Sequence, residues 1–341
     1  MKAIQITQPH QIDVISLPKP VPGAGEVLVK VCYAGFCGSD LNTWRGANAM
    51  ARQPVIPGHE VGGVIEAVGP GVPASLAPGL TVTLNPYSNC GQCASCRRGR
   101  PNACEHNQTL GVQRDGAMCE YVTLPWEKII PAGNIPVRDC ALIEPMSVGF
   151  HAVDRGQVTD TDTVLVIGCG MVGLGAVVRA SLRGAHVIAA DIDPEKLQLA
   201  RQLGAQDTLN TKEGDVHAEL LKLSDGFGPD VVIEAVGSPA TYRLAVDEVA
   251  FTGRIVCIGY SKADVTFTTR LFVQKELDIR GSRNASPADF RAVIGYLESG
   301  KCPVDRLITK VFAPEEAGAV MQQWDANPGK VFRMVCQLSQ G

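Results

Sequence analysis

Four closely spaced cysteines are the first residues whose types and spacing indicate a chemistry. They are Cys90, Cys93, Cys96 and Cys104, in the pattern C-x2-C-x2-C-x7-C, and Glu105 follows the last of them. Four thiolates this close together can surround Zn2+ as a tetrahedron. A ferredoxin-type iron–sulfur cluster would show C-x2-C-x2-C-x3-C followed by proline. The spacing therefore predicts a structural zinc site.

A glycine-rich turn after an apolar run has the residues that a dinucleotide needs. The turn is Gly168-Cys-Gly-Met-Val-Gly173, and it follows the apolar residues 163–167. Gly168 permits a tight turn, Gly170 lets the backbone approach a pyrophosphate, and Gly173 lets the next helix pack closely on the strand. The pyrophosphate would lie on amides at the helix N-terminus, whose partial positive charge favours an anion.

An acidic residue after the second strand indicates which dinucleotide binds. Asp191 falls 18 residues after Gly173. There a carboxylate can accept hydrogen bonds from both ribose hydroxyls of adenosine and would repel a 2′-phosphate. Ile192 follows, where an arginine would welcome the extra phosphate. Capping a helix is the alternative role for Asp191, but Asp193 fills it more naturally. We therefore expect NAD rather than NADP.

A second, mixed set of metal-ligand residues comes from three distant segments. Cys37, the pair His59 and Glu60, and Glu144 supply one thiolate, one imidazole and two carboxylates. A catalytic zinc uses a mixed, incompletely closed set, which leaves one position for water or substrate. Taken singly, each has an ordinary alternative: a small core cysteine, a buried hydrogen-bonded histidine, or a solvated turn glutamate.

Two kinds of secondary-structure pattern must position these residues. Residues 1 to about 145 are rich in glycine and proline and contain short alternating or β-branched runs, which predict a barrel-like β domain that begins with a strand pair. From about 147 to 284, continuous apolar strands alternate with helical periodicity, which predicts a parallel sheet between helices. Asp193 and Ser286 each precede a proline and should begin helices.

The predicted domains follow from this change of pattern. The first comprises residues 1–146 and 285–341 and includes a cysteine lobe at about 86–106, and the second comprises residues 147–284. After residue 285 one helix, over 286–298, and a strand-rich tail remain. That stretch is too short to be a domain of its own, so we expect it to return to the first domain.

Composition excludes several classes of partner. The 341 residues are 45% apolar and 19% charged, which suits two soluble domains. A net charge of −4 gives no electrostatic footprint for nucleic acid or an anionic membrane, and the cluster Arg97, Arg98 and Arg100 is interpreted as solvated loop charge. No apolar run is long enough to span a bilayer, and the N-terminus lacks a signal-peptide pattern. Twelve cysteines then predict a reducing compartment, the cytoplasm.

Together and in order, these motifs resemble the zinc-dependent medium-chain dehydrogenases over essentially the whole chain. The resemblance rests on Gly35-Phe-Cys-Gly-Ser-Asp40, Pro57-Gly-His-Glu-Val-Gly-Gly63, the four cysteines, Asp115-Gly-Ala-Met-Cys-Glu-Tyr121 and Gly168-Cys-Gly-Met-Val-Gly173. It implies an α/β fold, with a GroES-like β-barrel catalytic domain and a Rossmann doubly wound parallel-sheet domain. Residues 141–152 are similar to the sorbitol and threonine dehydrogenase branch. Classical alcohol dehydrogenases have cysteine where Glu144 stands.

The resemblance also implies a role for each candidate residue. Cys37, His59 and Glu60 would hold the catalytic zinc, with Glu144 as a direct or water-bridged ligand, so each chain would carry two zinc ions and NAD. The zinc would acidify a substrate hydroxyl, Ser39 would take its proton, and hydride would pass to nicotinamide. The candidate cofactor-binding residues are Gly168, Gly170, Met171, Val172, Gly173, Asp191, Ile192, Lys196, Val236 and Ile258.

Two departures from the family pattern affect these expectations. Many relatives carry histidine five residues after the zinc-binding cysteine, where this chain has Asn42. Asparagine cannot titrate, so the proton relay must use water, the nicotinamide ribose or another base. Met118 and Cys119 replace the common Phe-Ala pair, which should alter packing but not chemistry.

The carboxylate-rich zinc shell favours a substrate with several hydroxyls. Residues 281–290 resemble a segment of bacterial dehydrogenases acting on L-galactonate or L-gulonate, and the planar fork of Arg283 suits a polyhydroxy chain or a sugar-acid carboxylate. An ordinary surface arginine is the alternative. We expect oxidation of a secondary hydroxyl of a polyol or sugar acid, such as L-galactonate, L-gulonate, L-idonate, sorbitol or galactitol, to the keto product.

Three other functions are compatible with parts of this pattern. L-Threonine 3-dehydrogenation is the nearest competitor, because those enzymes share the branch and a similar zinc shell. A non-catalytic, zinc-stabilised nucleotide-binding regulator is favoured only by Asn42, and zinc-free quinone reduction conflicts with the presence of Cys37, His59 and Glu60. Relatives commonly pair nucleotide-domain edges, so we expect a homodimer or homotetramer, with a strand at 265–273 as a candidate contact.

Overall fold

The computed structural model describes residues 1–339 and divides into two compact units. One unit contains Met1–Pro145 and the chain from Ser286 onward, and the other contains Met146–Ala285. The sequence pattern placed these boundaries after residue 146 and before residue 285. Residues 340 and 341 of the expected return segment lie outside the described residues.

The first unit is built mainly from short antiparallel strands. Its N-terminal part contains β1 (Lys2–Gln8), β2 (Gln11–Ser16), β3 (Glu26–Gly35), α1 (Gly38–Trp44), β4 (Glu60–Val68), β5 (Thr81–Leu84), α2 (Ala94–Arg97), β6 (Tyr121–Pro125) and β7 (Ile129–Pro131). The strand pair expected from the alternating N-terminus is confirmed, because β1 and β2 pair antiparallel. α2 lies inside the cysteine run, and α1 begins directly after Cys37.

The second unit alternates strands and helices. Its elements are α3 (Ile143–Gly156), which starts just before the boundary, β8 (Thr163–Ile167), α4 (Met171–Leu182), β9 (His186–Asp191), α5 (Pro194–Gln202), β10 (Asp207–Asn210), α6 (Val216–Leu223), β11 (Val231–Glu234), α7 (Pro239–Glu248), β12 (Arg254–Cys257), α8 (Arg270–Gln274) and β13 (Asp278–Gly281). The six strands pair in parallel in the order β10-β9-β8-β11-β12-β13. This is the doubly wound order of dinucleotide-binding sheets.

The chain from Ser286 onward completes the first unit. It contains α9 (Pro287–Glu298), α10 (Val304–Leu307), β14 (Ile308–Phe312), α11 (Ala317–Ala326) and β15 (Arg333–Gln337). β14 and β15 extend the main sheet of this unit, whose order is β14-β15-β3-β4-β5-β7, with β6 pairing on β3. The strands that carry Glu60 and Arg333 therefore both neighbour β3.

Helix caps stand where the sequence placed them. The Asp193 side chain accepts the Glu195 N–H at the start of α5. Ser286 precedes α9, and the Asp289 carboxylate accepts the Ser286 N–H at 2.7 Å. At α5 the carboxylate before the helix satisfies an N–H of the first turn, and at α9 a carboxylate in the first turn satisfies the N–H of the residue before the helix.

Two secondary-structure predictions were wrong. The tail is not only strand-rich, because Ala317, Val320, Met321 and Trp324 lie at helical spacing and form the buried face of α11. No strand forms over 265–273, where residues 270–274 are helical. Leu271 and Phe272 both pack on the core of the second unit, and a strand would place such neighbours on opposite faces.

Each unit has its own apolar core. The core of the first unit joins the strands around β3 to α1 and α11, and it includes Phe36, Met118, Val320 and Trp324. The core of the second unit lies on the parallel sheet and includes Leu165, Ile188, Val232 and Ile255. Within residues 1–339, no helix combines the length and apolarity that crossing a membrane requires.

Candidate metal centres and dinucleotide site

The cysteine run folds into a convergent group of four sulfur atoms. The Sγ atoms of Cys90, Cys93, Cys96 and Cys104 all lie within 4.8 Å of one another. The Cys93–Cys104 and Cys90–Cys104 sulfur pairs are 3.8 and 3.6 Å apart. In a zinc tetrahedron with bonds of about 2.3 Å the sulfur–sulfur edge is about 3.8 Å, whereas a disulfide needs about 2.05 Å. The four residues fit a structural zinc ion.

The ionisation of these thiols also suits a shared cation. Backbone N–H groups of Cys96 and Glu105 bring the pKa of Cys93 down to about 6. Burial and the neighbouring Cys93 raise the pKa of Cys96 to about 11. Ionisation of one thiol therefore makes ionisation of its neighbour less favourable. A divalent cation bound between them would allow all four thiols to ionise together.

A second group joins the start of α1 to the start of β4. The ligand atoms of Cys37, His59 and Glu60 lie within 4.8 Å of one another, and His59 and Glu60 are buried. Cys37 precedes the first turn of α1, where the Asp40 carboxylate accepts the Cys37 N–H at 2.8 Å. The structure thus brings together the three residues that the sequence assigned to the catalytic zinc.

The turn that carries His59 rests on the glycine motif at 115–121. Asp115 Oδ1 accepts the Ile56 N–H at 2.9 Å, and the Gly116 and Ala117 N–H groups donate to the Ile56 and Gly58 carbonyls at 2.7 and 2.9 Å. A Cβ atom on Gly116 would lie 2.4 Å from the Gly58 oxygen, so only glycine allows this approach. The motif therefore positions His59 through its backbone.

Glu60 faces a buried arginine from the other end of the chain. Arg333 Nε in β15 lies 3.0 Å from Glu60 Oε2, without hydrogen-bond geometry, and Arg333 Nη1 donates to the Phe36 carbonyl at 2.7 Å. A Cβ atom on Gly35 would lie 2.5 Å from Glu60 Oε2, so this glycine makes room for the carboxylate. Neither Glu60 oxygen receives a hydrogen bond from the described residues, which leaves the carboxylate suited to a cation.

Burial and mutual charge shift the pKa values in this group. Burial raises the pKa of Cys37, but His59, and to a lesser extent Arg333, outweigh it and bring that pKa to about 7. Burial lowers the pKa of His59, but Cys37 and Glu144 raise it well above its ordinary value. Burial raises the pKa of Glu60 although Arg333 opposes the shift. Arg333 alone does not compensate the buried carboxylate, and these donors fit a zinc ion.

Glu144 stands beside this group rather than within it. Among residues 1–339 the group of converging ligand atoms contains only Cys37, His59 and Glu60. The Glu144 carboxylate is nevertheless close enough to raise the pKa of His59, and its Oε1 accepts a hydrogen bond from the Tyr87 hydroxyl. Burial and Glu144 together raise the pKa of Tyr87 well above its ordinary value, so Tyr87 remains a proton donor.

Ser39 lies in the first turn of α1 with its hydroxyl turned inward. Its Oγ atom is buried and has no hydrogen-bond partner among the described residues. The Ser39 carbonyl accepts the Thr43 hydroxyl at 2.9 Å and the Asn48 amide at 3.4 Å, which fixes the backbone at this point. Asn42 lies on the same helix, at the position where many relatives carry a histidine that can relay the proton.

The glycine turn of the second unit has the geometry expected of it. Gly168 has φ of 96°, and a Cβ atom on Gly173 would lie only 1.7 Å from the Gly168 oxygen. A Cβ atom on Gly170 would have no neighbour within 4 Å, and no side chain caps α4 there. The start of α4 therefore has uncapped N–H groups and, beside Gly170, open space that an anion can fill.

Asp191 ends β9 beside this turn. Its Oδ2 accepts the Cys169 N–H at 2.7 Å, and its Oδ1 accepts the Ile192 and Asp193 N–H groups at 2.7 and 3.0 Å. A cavity of about 320 Å³ opens here, and it is lined by Ile167, Gly168, Gly170, Ala190, Asp191, Ile192, Lys196, Thr211, Ala235, Val236 and Thr241.

The predicted cofactor residues divide by their place around this cavity. Gly168, Gly170, Asp191, Ile192, Lys196 and Val236 line it. Met171, Val172 and Gly173 form the first turn of α4, and Ile258 follows β12 and is not among the residues around the cavity. Thr211 and Thr241 line it although no sequence pattern singled them out.

Arg283, Tyr87 and Arg333 lie outside the groups described so far. Arg283 is half-buried after β13 in the second unit, and its role stays a prediction. Tyr87 and Arg333 were missed. A single arginine inside the apolar strand 333–337 was a signal for a buried ion pair, whereas a tyrosine in an Asn-Pro-Tyr turn gave none.

Comparisons with known proteins agree with this description. Residues 23–136 match the alcohol dehydrogenase GroES-like domain, and residues 172–299 match the zinc-binding dehydrogenase model. An L-galactonate-5-dehydrogenase of Escherichia coli K12 is 34% identical over 91% of both chains, and a sorbitol dehydrogenase of Halalkalibacterium halodurans is 32% identical over 93% of this chain and 94% of its own. An alcohol dehydrogenase of E. coli CFT073, crystallised with NADH, superimposes with a TM-score of 0.90 at 33% identity over 99% of both chains.

Proposed function

The chain belongs to the zinc-dependent medium-chain alcohol dehydrogenases, and we propose that it uses NAD to oxidise a secondary hydroxyl of a polyol or sugar acid to a ketone. The observation that carries this proposal is the converging group of Cys37 with the buried His59 and Glu60, and a second buried carboxylate, Glu144, beside it. Such a shell offers a second acceptor for a substrate that has more than one hydroxyl. A simple aliphatic alcohol has no second hydroxyl to donate to this carboxylate, so its binding would gain little.

The residues around the metal position support a defined division of roles. Zinc bound to Cys37, His59 and Glu60 would supply Lewis acidity toward a substrate hydroxyl. The buried, unpartnered Oγ of Ser39 is the group we assign to accept the proton of that hydroxyl. Asn42 cannot carry the proton onward, so we assign the next step to water or the nicotinamide ribose.

The second unit supports NAD as the hydride acceptor. Gly170 and the start of α4 leave room for a pyrophosphate, and Asp191 lines the adjoining cavity. A carboxylate there would accept hydrogen bonds from ribose hydroxyls and repel a 2′-phosphate. The L-galactonate and sorbitol dehydrogenases among the relatives make polyhydroxy compounds the first substrates to test.

A substrate panel tests the proposal directly. The zinc-loaded enzyme is assayed by NADH absorbance with sorbitol, galactitol, L-galactonate, L-gulonate, L-idonate and L-threonine. We expect the highest kcat/KM for a polyol or sugar acid. A preference for L-threonine would replace this proposal by L-threonine 3-dehydrogenation, and no turnover of any compound would contradict a catalytic role.

Metal analysis separates a dehydrogenase from a non-catalytic regulator. We expect two zinc ions per chain, whereas a regulator stabilised only by the cysteine lobe would contain one. His59→Ala should lose one zinc and all activity while the chain stays folded. Cys93→Ser should lose the other zinc and lower the unfolding temperature, because a structural zinc contributes folding free energy.

Arg283 is our proposed specificity residue. Arg283→Lys keeps the charge but removes the planar fork that suits a carboxylate or paired hydroxyls. We expect KM for sugar acids to rise by at least tenfold, which corresponds to about 1.4 kcal/mol. The exposed Arg291 in α9 gives a matched control, because Arg291→Lys should change nothing. Equal constants for both variants would remove Arg283 from the site.

Assembly and location complete the proposal. We expect a homodimer or homotetramer, which light scattering after size-exclusion chromatography would measure. Four of the twelve cysteines converge as a metal-ligand group at distances too long for disulfides, which supports a reducing compartment, the cytoplasm. Nucleic acid and membranes are not among the proposed partners.

A further inference from the structure

We propose that Tyr87 is a positioning residue that holds the Glu144 carboxyl group in the orientation the catalytic metal site requires. This inference rests on the proposed function, since it assigns Glu144 a place beside a bound zinc. The Tyr87 hydroxyl donates to Glu144 Oε1, and both residues are only 4% exposed. A hydrogen bond between an O–H donor and a carboxylate is among the stronger kinds, and burial removes the competition of water.

Tyr87 is itself held from two sides. Its ring packs edge-on against Phe290 of α9, with the centroids 6.4 Å apart and the planes at 72°. Its backbone forms an antiparallel bridge with Thr109, and its N–H donates to Asn85 Oδ1 at 3.2 Å. Because the ring and the backbone of Tyr87 are both restrained, its hydroxyl has a fixed position and can orient the more flexible side chain of Glu144.

The bridge to Thr109 also places Tyr87 at the base of the cysteine lobe. All four cysteines lie between these two residues in the chain. Next to the bridge, the Gln108 N–H donates to Ser88 Oγ at 2.6 Å, which ties the same two segments of the lobe together. The phenol that contacts Glu144 is therefore anchored to the lobe that would hold the structural zinc.

The alternative is that Tyr87 only fills space. A packing role depends on the ring, whereas a positioning role depends on the hydroxyl, and Tyr87→Phe separates the two. The ring contact with Phe290 survives this change, but Glu144 Oε1 loses its donor. Partners that orient metal ligands typically change metal affinity by about 10- to 100-fold when they are removed.

The experiment measures metal binding as well as catalysis. Zinc release from purified enzyme is followed with a chromogenic chelator, and the visible absorption of the cobalt-substituted enzyme reports the geometry of the catalytic site. In Tyr87→Phe we expect one of the two zinc ions to bind 10- to 100-fold more weakly, with an altered cobalt spectrum and a lower kcat/KM. The buried Tyr296 of α9 provides the control, because Tyr296→Phe should change none of these quantities.

A second variant separates loss of the contact between Tyr87 and Glu144 from a general loosening of the fold by Tyr87→Phe, because a general loosening would weaken metal binding in any background. Glu144→Gln removes the charge that the phenol orients, so adding Tyr87→Phe to Glu144→Gln should weaken metal binding by much less than tenfold. Identical zinc release and cobalt spectra for Tyr87→Phe and Tyr296→Phe would overturn the inference. If wild-type enzyme held no second metal, the proposed function would fail instead, so the two failures are distinguishable.

Discussion

Replacing each of two glycines in one turn by alanine should affect different properties of the protein: the stability of the fold in one variant and the affinity for NAD in the other. Gly173→Ala introduces a Cβ atom 1.7 Å from the Gly168 oxygen, whereas Gly170→Ala introduces one with no neighbour within 4 Å. The first methyl group collides with backbone, so α4 must move away from the strand it packs on. The second methyl group points into the space where we place the pyrophosphate of NAD.

The expected magnitudes follow from these contacts. Overpacking of this kind costs about 1–3 kcal/mol or more, and the better helix propensity of alanine returns about 1 kcal/mol at most. A Cβ atom 1.7 Å from a backbone oxygen places this cost at the upper end of the range, so Gly173→Ala should lower the unfolding free energy by about 2 kcal/mol. Gly170 has φ of −72°, which alanine adopts readily. Alanine is a poorer residue than glycine before a helix, but it also reduces the conformational entropy of the unfolded chain, so the two effects on stability nearly cancel.

Two measurements on each variant test the reasoning. Thermal unfolding of the zinc-loaded protein without NAD should show a lower midpoint for Gly173→Ala and a wild-type midpoint for Gly170→Ala. Calorimetric titration should show Kd for NAD raised at least tenfold in Gly170→Ala, which corresponds to about 1.4 kcal/mol. Wild-type NAD affinity in Gly170→Ala, or equal destabilisation of both variants, would refute this account of the turn.

Three further predictions concern charges. In protein without the catalytic zinc, Arg333→Met should lower the unfolding free energy of the chain by about 3–5 kcal/mol in urea denaturation, because Glu60 keeps a buried charge, and adding Glu60→Gln should recover most of that loss. Asp191→Gly combined with Ile192→Arg should shift the kcat/KM ratio from NAD toward NADP, and an unchanged ratio would contradict the role of Asp191. Lys275→Met should destabilise the second unit by up to about 1 kcal/mol in the same denaturation, since the Lys275 ammonium donates to three carbonyls at the end of α7.

The sequence was most informative where one residue type has few alternatives. Cysteine sulfur at short spacing, and glycine between a strand and a helix, restrict both chemistry and backbone conformation. The four sulfur atoms and the turn at 168–173 could therefore be anticipated in some geometric detail. Cys37, His59 and Glu60 needed the family pattern as well, because each residue alone has common structural roles.

The residues that were missed act through contacts distant in sequence. Tyr87 meets Glu144, and Arg333 meets Glu60, only because the sheet of the first unit brings their segments together. The pairing of Tyr87 leaves no local pattern in the chain, and the pairing of Arg333 leaves only an arginine in a short apolar strand, which does not identify its partner. The strand expected at 265–273 failed for a related reason, since packing of Leu271 and Phe272 on one core outweighed the β-branched composition of that stretch.

The ion pair between Glu60 and Arg333 has a consequence for synthesis of the chain. Glu60 leaves the ribosome early, and its guanidinium partner emerges only after the whole second unit has been made. Until then the nascent first unit must either keep that carboxylate hydrated or hold it protonated. The final closure of the first unit around this site must therefore wait for the synthesis of β15, and a stalled chain that ends before residue 333 should remain open to proteases.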